Sequence, residues 1–418
     1  MRYLNYKVPF IYLFLFLINN AHGEQLAEDG KPANPELQIE TRVGRTFSNE
    51  HTQFQDDDFR SIRMDIKSEW MPRNDLIFKE KMHAISVSGF DNASYDQIYI
   101  DELTATYNNS KNCSFKVGYQ NVIWGLADRL RVVNVINPLD LRESYYNEWD
   151  KKYLSLGMVN SECSFSDQSL QLLIIPETKF YKFSDISNYY PESLTNSTSV
   201  TTQNNKDWNT GVRWSSKFNN ADLSLYGYHG YDQIRHPVVV GINAIELLAN
   251  KYSMLGADIS TIFGPLTLRG EFAEKNGVSP RPINNLPSSI NFSDVSLDKK
   301  INQESYLLGV DYPGSSWNFS SQYLNVVNHG VLNSIENQQI MTIAVQKYLL
   351  NNRLTLEAFS AIDMKNTGNN YLSLEASYEV NDHLMAKITT EFFNQDEVDI
   401  LDNLKFKNRM FLSLTLNN

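Results

Sequence analysis

Between Arg60 and Trp70 the chain alternates: Ile62, Met64, Ile66 and Trp70 hold even positions, while Arg63, Asp65, Lys67 and Glu69 hold odd ones. A period of two puts the apolar set on one face of a β-strand and the charged set on the other. The same split separates Leu266, Leu268 and Phe272 from Thr267, Arg269 and Glu271, and Leu384, Ala386, Ile388 and Phe392 from Lys387, Thr389 and Glu391. Leu354, Leu356 and Ala358 oppose Arg353, Thr355 and Glu357; Leu372, Leu374 and Ala376 oppose Ser373, Glu375 and Ser377. Followed along the chain, the pattern predicts strands at 36–47, 57–71, 79–91, 95–109, 111–123, 152–163, 167–177, 206–219, 221–232, 250–263, 265–275, 302–313, 315–326, 336–350, 352–363, 367–381, 382–393 and 405–416. That is about 18 strands, within a range of 16–18, and an even number suits a closed bacterial barrel.

Alternation alone suits a soluble β-sandwich as well, so the connections decide. Asn109-Ser110, Asn219-Asn220, Gly264-Pro265, Pro313-Gly314, Asn351-Asn352 and Asn381-Asp382 are tight-turn signals. Between them lie longer segments near 124–151, 178–205, 233–249, 276–301, 327–335 and 394–404. The short connections fall on one side and nearly all the long ones on the other, which is the asymmetry of a transmembrane β-barrel. Hydrocarbon leaves no backbone group to pair with water, so such a sheet closes on itself. The expectation is an all-β fold, a transmembrane antiparallel β-barrel over 36–418, with 124–151 inserted as a constriction segment. Arg409 to Leu416 reads as the closing strand. Tyr95, Trp208, Tyr252, Trp317, Tyr348, Tyr371, Phe392 and Phe393, at strand ends, are expected in interfacial girdles.

The first residues add a destination. Arg2 and Lys7 precede an apolar run from Val8 to Ile18, and Ala21-His22-Gly23 follows as a small-residue site. This is a secretory signal peptide over 1–23; a spanning anchor needs roughly 20 apolar residues. Residues 24–35, with Ala27, Gly30, Pro32 and Pro35, form a periplasmic leader too short for a transporter's plug domain. The chain is therefore expected in the outer membrane of a Gram-negative bacterium, in contact with outer-membrane lipid and inserted by barrel-assembly machinery. A net charge of −12 without a basic tract argues against a nucleic-acid partner. Nothing in the sequence marks a subunit interface, so a homo-oligomer is left open.

GYQNVIWGLADRLRVVNVINPLDLRE, residues 118–143, is followed by SYYNEWDKKYLSLGMVNS and then SLQLLIIPE. Gln120, the Trp124-Gly125 pair, Asp128, Asn134-x-x-Asn137-Pro138-x-Asp140-x-Arg142-Glu143 and Ile175-Pro176-Glu177 carry a resemblance to the outer-membrane family catalogued as domain of unknown function 1302. The resemblance implies a porin-like barrel engaged in passage of hydrophobic compounds or lipids, beside a periplasmic or inner-membrane export partner.

Read from its own residues, 124–151 is too apolar for a free loop, with Trp124, Leu130, Val132, Val133, Val135, Ile136 and Leu139, and yet rich in charge of both signs. Folding into the barrel satisfies both. Two roles stay open for Asp128, Arg129, Arg131, Asp140, Arg142, Glu143 and Asp150: they line a pore restriction whose field sets selectivity, or they tie the segment to the wall as ion pairs. Asn137-Pro138 reads as a turn and Asp140 as a local cap. Cys113 and Cys163 fall at the same end of the strands flanking the insertion, and an oxidising compartment permits a disulfide. Alternation groups Cys113 with outward Phe115 and Val117 but Cys163 with an inward set including Tyr153 and Val159, so a bond requires a bulge. No metal-ligand spacing or cofactor motif is present, and the seven histidines sit beside no Ser or Asp arrangement of a hydrolase. No enzymatic role is expected. The expected function is a channel for small or hydrophobic molecules; the alternative is a structural, assembly or surface protein with a closed lumen.

Overall fold

The computed structural model describes residues 36–47, 58–90, 93–109, 112–142, 151–182, 199–202, 207–241, 244–279, 300–329, 337–365, 367–394 and 408–418. The expected signal peptide and leader, 1–23 and 24–35, lie outside the described residues. The strands are β1 (Glu36–Phe47), β2 (Asp58–Arg73), β3 (Leu76–Phe90), β4 (Ala93–Asn109), β5 (Cys113–Gln120), β6 (Leu156–Phe165) and β7 (Gln168–Ile175). There follow β8 (Ser199–Thr202), β9 (Asn209–Phe218), β10 (Ala221–Tyr231), β11 (His236–Gly241), β12 (Ala244–Leu248), β13 (Lys251–Phe263) and β14 (Leu266–Val278). The last are β15 (Ile301–Pro313), β16 (Trp317–His329), β17 (Gln338–Leu349), β18 (Leu354–Asp363), β19 (Asn370–Asn381), β20 (Leu384–Asn394) and β21 (Asn408–Asn417).

Eighteen of these strands form one antiparallel sheet, each paired to its barrel neighbours in chain order. The sheet closes because β21 pairs with β1, from Gln38↔Asn417 to Phe47↔Asn408, as well as with β20. No edge is left to satisfy in a membrane. The eighteen match the predicted strands one for one. Connections 74–75, 110–112, 166–167, 219–220, 264–265, 314–316, 350–353 and 382–383 share the turn end of the barrel, and the long ones share the opposite, loop end. Only 91–92 breaks the sorting, being short on the loop end. Asn112, Asn219, Gly264, Asn351 and Asn352 take positive φ in the turns, a conformation Asn and Gly tolerate at low cost.

The two faces are inverted relative to a water-soluble protein. Leu308 is 69% exposed on the outer surface, with Leu255, Ile388 and Leu416 also exposed, while Thr389 and Glu391 are fully buried inside. Toward the loop end the inner face itself turns apolar: Leu173 and Ile175, Tyr226 and Tyr228, Tyr252 and Met254, Leu324 and Val326, and Phe359 and Ala361 join one buried core with the inserted segment.

That core corrects part of the girdle expectation. Tyr252, Tyr371 and Phe393 are buried in it, Tyr95 lines an inner groove, and Tyr348 shares the inner face with its partner Gln346. Trp317 and Phe392 do lie on the outer surface, and Trp208 is exposed beyond the strand. The longer segments expected at 178–205 and 233–249 also hold strands. Residues β8, β11 and β12 form a three-stranded sheet, with β12 antiparallel to β11 and parallel to β8. Strands of four to six residues leave little local signal, and β8 pairs with β12 across a long stretch of sequence.

Candidate pore constriction

After Gln120 the chain leaves the wall, and it returns at Leu156. Asn137, fully buried, ties the outgoing and returning limbs together. Its Oδ1 accepts the Val122 amide at 2.8 Å, and its Nδ2 lies 3.0 Å from the Leu154 carbonyl and 3.2 Å from that of Gln120. Buried amide groups need such partners. Beyond it Leu139 bridges Tyr153, and the Leu141 amide donates to the Lys182 carbonyl at 2.7 Å, so the base of the insertion is itself hydrogen-bonded backbone.

The limb from Val122 to Ile136 lies on the apolar seat. Trp124 packs on Tyr226 with ring centroids 5.1 Å apart, and its Nε1 donates to Gln171 at 2.9 Å. Gly125 explains the Trp-Gly pair of the sequence. Its φ is +85°, and a Cβ there would stand 2.7 Å from both the Glu271 carboxylate and the Val133 side chain. Without it Glu271 reaches into the bend and accepts the amides of Leu126 and Ala127, the latter at 2.5 Å, with the Val133 amide at 3.5 Å. Successive amides around one carboxylate make an anion-holding nest.

At the tip the insertion has crossed to the far wall. Asp128 accepts from Arg269 of β14 at 2.6 Å, and its amide donates to Gln322 of β16. Arg129, at positive φ, pairs with Glu357 of β18 and lies 4.2 Å over the Phe359 ring. Arg131 is turned inward on the segment: it donates to the carbonyls of Asn134 and Asn137, at 2.6 and 2.8 Å, and to the Tyr181 hydroxyl. It braces the loop's own backbone.

The returning limb faces β1–β4. Arg142 forms a two-point pair with Asp140 at 2.9 and 2.6 Å, donates to Gln97 at 3.0 Å and to the Tyr99 hydroxyl, and lies 3.8 Å over the Tyr95 ring. Burial pushes the Asp140 carboxyl up, but the Arg142 hydrogen bonds and charge, with Tyr99 donating, outweigh it and hold the group below the usual carboxylate range. Burial pushes the Lys182 ammonium down, against the pull of Asp140. Lys151 pairs with Glu40 of β1 at 2.9 Å. Glu143 and Asp150 lie outside the described residues. The structure thus brings Asp128 with Arg129, and Asp140 with Arg142, at opposite walls.

Two spaces flank the crossing. One, of about 550 Å³, lies between the tip and β15–β18 and is lined by Asp128, Arg129, Asp311, Ser320, Gln346 and Glu357 among others. The other, of about 60 Å³, lies against β1–β4 among Glu40, Arg42, Arg63, His83, Lys151 and Lys152. Beside it Asp65, His83 and Asp101 bring ligand-type atoms within 4.8 Å of one another. Arg63 donates to Asp65 at 2.8 Å and stands 3.9 Å from Asp101, supplying the charge a metal would bring.

Several solved structures share this architecture. A BenF-like porin from Pseudomonas fluorescens Pf-5 matches with a TM-score of 0.56 at 12% identity, over 92% of this chain and 98% of that one. Acinetobacter baumannii OccAB1 matches with 0.55 at 10%, over 94% and 98%. Pseudomonas aeruginosa OccK5 (OpdH) matches with 0.53 at 11%, over 92% and 98%. The chain has a porin's fold. No protein-family model matches the sequence, and no curated protein matches it.

Within this porin fold, the wall residues that receive the insertion, Glu271, Arg269, Asp311 and Glu357, were not singled out as site residues by the sequence reading. Three of them lie on charged faces that alternation had identified, but alternation does not say which inward charge meets which. The cysteines lie opposite one another, Cys113↔Cys163, and are bonded. No bulge intervenes, because Val159 is on the outer face with Val117, its register partner, and not on the inner one.

Proposed function

We propose that this chain is a porin-like channel of the outer membrane of a Gram-negative bacterium, passing small molecules through a lumen narrowed by the 121–155 insertion. The observation that carries this reading is the inversion of faces together with the space of about 550 Å³ left beside the docked tip. An apolar exterior and a charged interior suit a wall between lipid and water. In this reading Asp128, Arg129, Asp140 and Arg142, with Glu143 and Asp150, form the restriction, and Arg131 braces it. The signal peptide at 1–23 delivers the chain, barrel-assembly machinery inserts it, and self-association is compatible with the apolar outer belt. The resemblance to domain of unknown function 1302 extends the permeants to hydrophobic compounds and adds an export partner.

The apolar core inside the lumen favours a second reading, a structural or assembly protein whose lumen is closed. Single-channel recording in planar bilayers separates them, comparing the native barrel with Arg129→Ala/Arg142→Ala. Discrete steps from the native chain, with larger steps and altered ion selectivity in the variant, support the channel and its restriction. Silence from a folded native barrel turns the assignment to the closed lumen.

A further inference from the structure

Among the described residues, the two spaces flanking the inserted segment differ in room and charge. The one beside β1–β4 is about 60 Å³, and among its lining side chains Arg42, Arg63, Lys151 and Lys152 outnumber Glu40 and Asp140. Beside β15–β18 there is about 550 Å³, where the lining carboxylates Asp128, Asp311 and Glu357 meet the single lining guanidinium of Arg129. Arg129 is committed to Glu357 and to the Phe359 ring. Asp128 and Asp311 share one partner, Arg269, whose Nη2 lies 2.6 Å from the first and 2.5 Å from the second. Two carboxylates against one guanidinium leave a net negative charge. The shared cation also stands behind the acids, since the Arg269 side chain is 11% exposed and that of Asp128 is 60% exposed.

We infer that the open route past the restriction runs along β15–β18 and selects cationic over anionic solutes, inorganic cations and small organic ammonium ions being the class it admits. The inference rests on the channel reading of the same insertion. Its physical basis is the field of carboxylates at a narrow point, where weak screening makes a single unbalanced charge decide the sign of the permeant ion. Uncharged inward groups such as Ser320 and Gln346 give the remaining lining donors and acceptors for a hydrated solute.

The test is the reversal potential of the full-length barrel in a planar bilayer under a potassium chloride gradient, repeated with choline chloride. The native chain is expected to reverse on the cation side in both salts. Asp128→Asn/Asp311→Asn should move the potential toward the anion side, and Arg269→Gln should move it the other way. Opposite shifts distinguish a field effect from mere loosening of the loop, which would move all variants together. An anion-side native potential, loss of choline current, or a potential indifferent to both variants overturns the inference while leaving a channel. Absence of any conductance from a barrel with native circular dichroism overturns the channel reading itself, and this inference with it.

Discussion

The limb from Val122 to Ile136 and the described parts of the returning limb, 137–142 and 151–154, lie inside the same barrel, yet they are held by different forces. The first lies mainly in an apolar seat, with Trp124, Val132 and Val133 against Leu173, Met254 and Ala273 and backbone amides held by Glu271, and ion pairs to the wall are confined to its tip at Asp128 and Arg129. The second is held by ion pairs and rings: Asp140 with Arg142, Arg142 over Tyr95, and Lys151 with Glu40. Apolar burial is indifferent to pH and nearly so to salt, whereas charge pairs respond to both. One limb is set mainly by apolar burial, and the other is open to adjustment by the surrounding solution.

The contrast can be broken from either side. The largest effect is expected from Trp124→Ala, which should cost the docked limb about 3–5 kcal/mol by loss of burial and creation of a cavity. Limited trypsin digestion of the folded barrel should then cut at Arg129 and Arg131, which the native chain protects. Arg142→Ala leaves the Asp140 carboxylate only its Tyr99 hydrogen bond and the Lys182 charge, and should cost about 1.5–3 kcal/mol, typical of hydrogen bonds to a charged group. Here trypsin should cut at Lys151 and Lys152 while Arg129 and Arg131 stay protected. Cleavage of both limbs in both variants would show that they dock as one unit.

Gly125→Ala should cost about 1–2 kcal/mol for the left-handed backbone alone, with a further loss as Glu271 is displaced, giving slower cleavage at the same arginines as Trp124→Ala. The smallest effect is expected from acid. The Asp140 carboxyl is held below its usual value of 3.8, so its contribution is fully present above pH 3.8 and is lost as pH falls through the depressed folded value. Pepsin digestion at decreasing pH should open the 137–154 limb before the 122–136 limb; the reverse order would contradict the division of forces.

The barrel was legible because its two faces differ, apolar outside and polar inside, and this writes a period of two into nearly every strand. The insertion was legible too, since Leu130, Val132 and Val133 are too apolar for water and Asp128, Arg129 and Asp140 too charged for lipid. What remained hidden depends on contacts across the lumen. Tyr252 and Met254 alternate with Ser253 and Leu255, so at the loop end the inner face of that strand is apolar. Such inner apolar pairs, repeated at Tyr226 and Tyr228 and at Leu324 and Val326, were a readable sign of a seat for something inside. The girdle expectation read end-of-strand aromatics without asking which face they occupied. The assignment of Arg269 to Asp128, and of Glu357 to Arg129, has no local signature, because the partners are distant in sequence and meet only when the barrel has closed.

The Cys113–Cys163 bond sits at the roots of β5 and β6, with a sequence separation of 50 residues that encloses the entire 121–155 insertion. Topologically, β5, the insertion and β6 form one covalent ring closed by a single clasp. A single cut within it therefore releases no fragment: the nicked chain stays one molecule until a reductant opens the clasp. Nicked and intact forms will migrate apart only under reducing conditions, and a damaged restriction can persist in the membrane unnoticed by size.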